Sequence, residues 1–210
     1  MNARSSRSQI ELSGSRRLAG GVTLVELMVA LSILAITLYA MLPGVTDWVR
    51  GISVRNSGES LKAGIERSRM EALRRNTAMS FWLVSEPGGK GLTNACEVSS
   101  KGSSWVVSGM NPDGQCAEVP STTVAPQLVE RWASSDGANA VNVSATDTDG
   151  NPADHISFTS LGQVSAAAGS ASRIDIAHAN GGRALRITID AGGAVRLCDP
   201  AVGADDPRRC

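Results

Sequence analysis

Residues 22–42 read VTLVELMVALSILAITLYAML, an apolar run broken by one charge, Glu26. At 1.5 Å per residue it makes a helix of about 30 Å, the depth of a bilayer's hydrocarbon core. Four arginines precede it (Arg4, Arg7, Arg16, Arg17) against a single acid, Glu11. Basic residues flanking a span stay in the cytoplasm. The expected arrangement is a single pass through a membrane, with the N-terminus cytoplasmic and the C-terminal domain outside.

Three processing schemes compete for this run. A secretory signal peptide is cut after its apolar stretch at a small-x-small site. The sequence there, Leu42-Pro43-Gly44-Val45, is a poor match. A plain signal anchor leaves Glu26 without a reason, although a central acid costs about 2.5–3.5 kcal/mol on insertion scales. A signal cut on the cytoplasmic side of the run accounts for both. The stretch Gly21-Val22-Thr23-Leu24-Val25-Glu26 resembles the type IV prepilin motif. The resemblance implies cleavage after Gly21 by a prepilin peptidase and methyltransferase, which leaves an N-methylated Val22 at the mature N-terminus. Phenylalanine is commoner than valine at that position. A glycine before the scissile bond suits close approach of an enzyme to the backbone.

Glu26 then lies one helical turn from the new Val22 amine and on the same face. A buried charge needs an opposite partner. The resemblance implies that this partner is the amine of a neighbouring subunit and that Glu26 acts in filament assembly. Spacing alone allows a pair within the chain or between chains. Pro43 removes a backbone donor, so it marks either a helix kink or a helix end.

Residues 43–76 resume a helical pattern through Trp48, Ile52, Leu61, Ile65, Ala72 and Leu73. Gly51 and Gly58 weaken its middle, so an amphipathic helix packed on a sheet is expected from about Gly58 to Asn76. Arg74 and Arg75 at its end complement the helix dipole. The segment LKAGIERSRMEALRRNTAMSFWLV resembles the GspH/FimT group of minor pilins and pseudopilins at Leu61, Arg69, Glu71, Ala72, Arg74, Arg75 and Asn76.

Downstream, strands are expected at 78–84, 104–108, 126–132, 140–146, 155–160, 172–178, 184–190 and 194–198. Turn signals separate them, among them Pro87-Gly88-Gly89, Asp149-Gly150-Asn151-Pro152 and Gly192-Gly193. HISFTSLGQVSAAAG resembles the group's strand–turn–strand element, and RALRITIDAGGAVRLCDP its final hairpin. The fold class implied is α+β: a type IV pilin fold, with a long N-terminal helix packed on an antiparallel β-sheet domain. The expected segments are a cleaved leader at 1–21, a membrane and filament-core helix at 22–42, an amphipathic continuation at 43–76 and a β domain at 77–210.

Little in this domain points to chemistry. Two histidines, His155 and His178, form no Ser-His-Asp or Cys-His arrangement by spacing, so no enzyme and no cofactor is expected. Asp147-Thr148-Asp149-Gly150-Asn151 looks like part of a calcium loop but lacks the distal glutamate. An acidic Gly/Asn turn serves a hairpin equally well, so no metal is expected. The four cysteines lack zinc spacing, and an even number in an exported chain favours disulfides. Three connectivities exist. The local pairs Cys96–Cys116 and Cys198–Cys210 are favoured because each closes a loop rich in Gly, Pro or Asp.

Without residues 1–21 the chain holds 16 basic and 19 acidic residues, against the balance of a general nucleic-acid binder. Some pilins of the FimT type bind DNA through Gly-Arg-x-Arg near the C-terminus. The corresponding Gly193-Ala194-Val195-Arg196 has alanine for the first arginine, and Gly182-Arg183-Ala184-Leu185-Arg186 is one residue too long. Arg183, Arg186, Arg196, Arg208 and Arg209 remain candidates for phosphate contact.

The function expected is that of a minor type IV pilin, a structural subunit that primes or tips a pilus. Its partners are other pilins or pseudopilins through the N-terminal helix, the prepilin peptidase and the inner membrane. The alternatives are an H-type minor pseudopilin of a type II secretion system, or a pilus subunit that binds DNA in natural transformation. The mature chain would reside in an extracellular pilus or a periplasmic pseudopilus.

Overall fold

The computed structural model describes residues 21–88, 91–137, 140–166 and 169–210, without the side chains of residues 40–44. The leader before Gly21 and the side chain of Pro43 lie outside the described residues, and so does the kink expected there. The chain divides into two units, one ending at Pro43 and one beginning at Gly44.

Helix α1 spans Leu24–Arg75, starting far ahead of the Gly58 expected for the amphipathic part. In the first unit, every described side chain from Val22 to Tyr39 is exposed, the apolar ones included. The hydroxyls in this stretch turn inward on the helix. Ser32 Oγ donates to the Met28 carbonyl at 2.8 Å and Thr37 Oγ1 to the Ile33 carbonyl at 3.0 Å. They therefore carry their own hydrogen bonds into an apolar setting. Among the described residues no helix is long and apolar enough to cross a membrane. The described side chains of the run end at Tyr39, about 24 Å of helix from Leu24. In the sequence the run continues through residues 40–42.

In the second unit, α1 buries Val54, Ser57, Gly58, Leu61, Gly64, Ile65, Ser68, Glu71 and Ala72. These positions recur every three or four residues, one face of a helix. Leu61, Ile65 and Ala72 were expected there. Trp48, Ile52 and Leu73 were also expected on the packed face, but they are 68%, 38% and 44% exposed. Small residues take their place, because the helix approaches the sheets too closely for large ones. A Cβ on Gly64 would sit 2.8 Å from Phe81 Cε2 and from the Trp105 ring. One on Gly58 would sit 3.1 Å from Leu197 Cδ1. Trp105 Nε1 also donates to Ser60 Oγ at 2.9 Å.

The helix ends at Asn76, which adopts a left-handed φ of 51°. Asn76 N–H donates to the Leu73 carbonyl, and Thr77 N–H reaches back to that of Ala72. This pair of bonds is the Schellman motif, and asparagine tolerates the φ it needs.

Among the described residues nine strands follow: β1 Met79–Ser85, β2 Glu97–Val98, β3 Ser104–Ser108, β4 Leu128–Trp132, β5 Val141–Thr146, β6 His155–Phe158, β7 Arg173–His178, β8 Leu185–Ile189 and β9 Val195–Cys198. All pairings between them are antiparallel. Eight fall where the sequence places them; β2, two residues long, is the addition. One sheet has the order β2-β1-β3-β4, with β6 also pairing β1, and the other β5-β7-β8-β9.

The two sheets differ in how they are covered. Phe81, Leu83, Trp105 and Val107 join the core under α1, together with Ile174, Ile176, Ile187 and Ile189 of the second sheet. Val84 and Val106 point the other way, into a smaller core with Leu128 and the Cys96 and Cys116 side chains. β1 and β3 are thus buried on both faces, which is why MSFWLVS and SWVVS read as apolar runs. The second sheet keeps one face in solvent. β5 alternates buried and exposed residues from Val141 to Ala145, the signature of a half-buried strand.

Candidate assembly and processing site

The start of α1 carries the sequence motif. Thr23 Oγ1 accepts the backbone N–H of Glu26 at 3.2 Å, and the Thr23 carbonyl accepts that of Leu27 at 3.1 Å. Thr23 is therefore the N-cap and Glu26 the third helical residue, the T-x-x-E spacing of a capping box. An acid in the first turn also favours the helix dipole. Among the described residues no cation lies within 4.0 Å of the Glu26 carboxylate. Leu24, Val25 and Leu27 around it are exposed. A Cβ added at Gly21 would meet nothing within 4 Å, so packing gives no reason for glycine there.

The other resembling residues hold the β domain to the helix. Arg69 Nε donates to the Gly162 carbonyl at 2.9 Å and Arg69 Nη2 to that of Gly192 at 3.3 Å. One guanidinium thus ties the turn after β6 to the turn between β8 and β9. Gly193, at φ 80°, lies so close that a Cβ would strike the Gly162 carbonyl oxygen. Glu71, with a side chain 4% exposed, accepts from Arg74 at 2.7 Å and Arg75 at 2.8 Å, with Arg67 at 3.6 Å. Arg67 also reaches Glu130 on β4 at 3.1 Å. The hydrogen bond from Arg74 holds the Glu71 carboxyl below its ordinary range; burial opposes this, and Arg75 adds to it.

Disulfides join Cys96 to Cys116 and Cys198 to Cys210, with Cα separations of 6.2 and 5.0 Å. The second lays the C-terminal tail against β9, where Asp199 N–H donates to the Arg208 carbonyl at 2.7 Å.

The candidate arginines of the C-terminal region fall into two groups. Arg183 binds the buried Asp199 at 2.7 Å, and Arg208 binds Asp206 at 2.6 Å. Arg186 and Arg196 stand on the open face of the second sheet, through the register Asp175↔Arg186↔Cys198 and Arg173↔Thr188↔Arg196. There Asp175 takes Arg186 at 2.6 Å and Arg173 at 3.3 Å. Sequence reasoning passed over Arg173, whose signal is its place on an exposed strand position opposite β8. Among the described residues, Arg196 and Arg209 have no carboxylate within 4.0 Å. The arrangement is a charge-paired surface with few spare cations.

The remaining candidates make local contacts. The Asp147 carboxylate accepts the N–H groups of Asp149 and Asn151 at 2.9 and 2.8 Å, which closes its own turn. His155 bonds Asp154 at 2.8 Å and stacks on Trp82. His178 accepts the Asn180 N–H at 3.1 Å.

A capped, apolar helical stretch with every described side chain exposed, followed by a helix face that seats antiparallel sheets, is the build of a pilin-like subunit. The family assignment is specific. The model of the family described as "Type II transport protein GspH" matches residues 57–193. That of the "Prokaryotic N-terminal methylation motif" matches residues 16–41. The chain belongs to the GspH family of pilin-like proteins, which are membrane-anchored structural subunits that assemble with other pilins.

No curated protein matches the sequence. Two crystal structures of the Pseudomonas aeruginosa type IV minor pilin FimU are similar to it. One shows 17% identity and a TM-score of 0.41 over 73% of this chain and 93% of that one. The other shows 14% identity and a TM-score of 0.42 over 72% and 98%.

Proposed function

We propose that the chain is a minor type IV pilin, a low-abundance subunit that primes or tips the pilus. A prepilin peptidase removes residues 1–21, residues 22–42 anchor the chain in the inner membrane, and the domain at 77–210 stands in the periplasm. Assembly then withdraws residues 22–42 from the membrane into the filament core.

The observation that supports this most is the capped start of α1. Among the described residues its apolar side chains are exposed, and its one acid has no cation within 4.0 Å. Such a stretch is stable only in lipid or among like helices. In the second setting, Glu26 meets the Val22 amine of a neighbour, and the two charges offset each other's burial.

Deletion of the gene tests the proposal. Surface pili counted by electron microscopy should fall, with secretion of exported enzymes unchanged. Intact piliation with lost secretion would instead establish the second reading, a minor pseudopilin. That reading draws on the family model, whose description names type II transport.

A further inference from the structure

The burial of α1 in the second unit begins at Val54, yet large apolar residues occur before it. Trp48 and Ile52 are exposed, one helical turn apart on one face. They form one wall of a groove of about 520 Å³. Leu185 of β8 and Leu197 of β9 line the other wall, half-buried, with Arg208 of the disulfide-held tail at its edge. An apolar cavity of about 150 Å³ takes one benzene-sized group. This groove therefore has room for about three apolar side chains, one face of a helix over two turns.

Charge decides what fits. The ions around the groove are already paired: Arg50 with Asp47 at 2.9 Å, Arg55 with Glu59 at 2.8 Å, and Arg183 with Asp199 at 2.7 Å. A charged ligand would have to break these pairs, whereas an apolar one would not. Shape separates the apolar candidates. A flat lipid surface reaches projecting side chains, but Leu185 and Leu197 are recessed between helix and strands. A helix ridge enters such a space. Along the chain, the exposed apolar residues of the assembly segment, from Val22 to Tyr39, continue through Val45, Trp48, Val49 and Ile52. An apolar helical stretch like that of Val22 to Tyr39, on another subunit, therefore matches the chemistry of the groove.

We infer that this groove receives the apolar helix of a neighbouring pilin-like subunit in the filament. The inference rests on the filament-subunit reading and adds a second contact, in the β domain, to the one at Glu26. The Cys198–Cys210 bond holds the tail that edges the groove.

Site-specific photocrosslinking in cells tests it. A benzophenone amino acid replaces Ile52, and in a control Arg196, on the open face of the second sheet. Adducts from the assembled fraction are mapped by mass spectrometry. The inference expects an Ile52 adduct to the N-terminal helix of another pilin-like subunit, and none from position 196. Ile52→Glu should lower recovery in the assembled fraction by about tenfold or more, since it buries an unpaired charge. Both disulfides should still form, which shows that the domain has folded.

An Ile52 adduct only to phospholipid would overturn the groove assignment, as would an adduct only to a partner's β domain. So would full recovery of Ile52→Glu. If the wild-type chain is missing from both pili and pseudopili, the filament reading fails instead, and an adduct to a partner helix in the membrane would still support the groove.

Discussion

Thr23 Oγ1 accepts the backbone N–H of Glu26 at 3.2 Å, so the first turn of α1 is capped by the residue that follows the Val22 position. The cap holds the backbone of Glu26 and leaves its carboxylate available. It also fixes the helix start next to the amine that cleavage would create. A capped end satisfies one of the amides that would otherwise enter an apolar filament core unpaired.

Glu26→Ala should insert into the membrane as well as the wild type, because the span becomes more apolar. Its recovery in sheared filaments should fall by about tenfold or more, because a buried amine loses its partner. Thr23→Val should produce a milder defect, in line with about 1 kcal/mol for a lost cap. Equal recovery of Glu26→Ala and wild type would refute the pairing.

The glycines of the second unit should separate by position in thermal unfolding of the mature chain in detergent. Gly64→Ala drives a methyl into Phe81 and Trp105 and should cost about 1–3 kcal/mol. Gly193→Ala adds a left-handed backbone to a collision with Gly162 and should cost at least as much. Gly51, with nothing within 4 Å of its Cβ position, should gain about 0.5–1 kcal/mol on substitution by Ala. A destabilising Gly51→Ala together with a neutral Gly64→Ala would contradict the packing described.

The Glu71 carboxyl sets an acid limb of stability. Its folded pKa lies below the ordinary value of 4.5, chiefly through the Arg74 hydrogen bond. Its stabilisation is therefore complete above about pH 4.5 and is lost as the pH falls through the folded value. Glu71→Gln should be less stable at pH 7 and should lose less on acidification below pH 4.5. Parallel pH profiles for the two proteins would show that Glu71 does not contribute. Asp206, drawn down to about 2 by hydrogen bonds from Arg208, should keep its charge through that whole window.

Much of the fold is written in the sequence because period and turn chemistry are local. The β5 residues alternate, and Gly150, Gly162 and Gly193 take the left-handed backbone that their turns need. The seam of α1 is harder to read. Ser57, Gly58, Gly64 and Ser68 are small or polar, so hydropathy passes over them, while the bare Trp48 and Ile52 carry the apolar signal. Strand β2 has two residues and no pattern. The pairing of Arg186 with Asp175 depends on cross-strand register, which no local signal encodes. The cap at Thr23 had a signal, T-x-x-E, hidden inside a motif already read for its glutamate.

The cysteines make a separate prediction. Non-reducing peptide mapping should yield Cys96 joined to Cys116 and Cys198 joined to Cys210. Loss of a short-loop bond of the second kind typically costs about 2–4 kcal/mol. Cys210→Ser should free the tail for proteolysis after Asp199 without unfolding β1 and β3. A Cys96–Cys198 peptide would contradict the arrangement.

A filament subunit formed by cleavage after Gly21 is tested best by the intact mass and N-terminal sequence of the chain recovered from filaments. Cleavage there predicts a chain that begins at N-methylated Val22, lacks residues 1–21 and is four hydrogen atoms lighter than its reduced form. A chain that begins at Met1 in a peptidase-competent cell, or after Leu42, would contradict it.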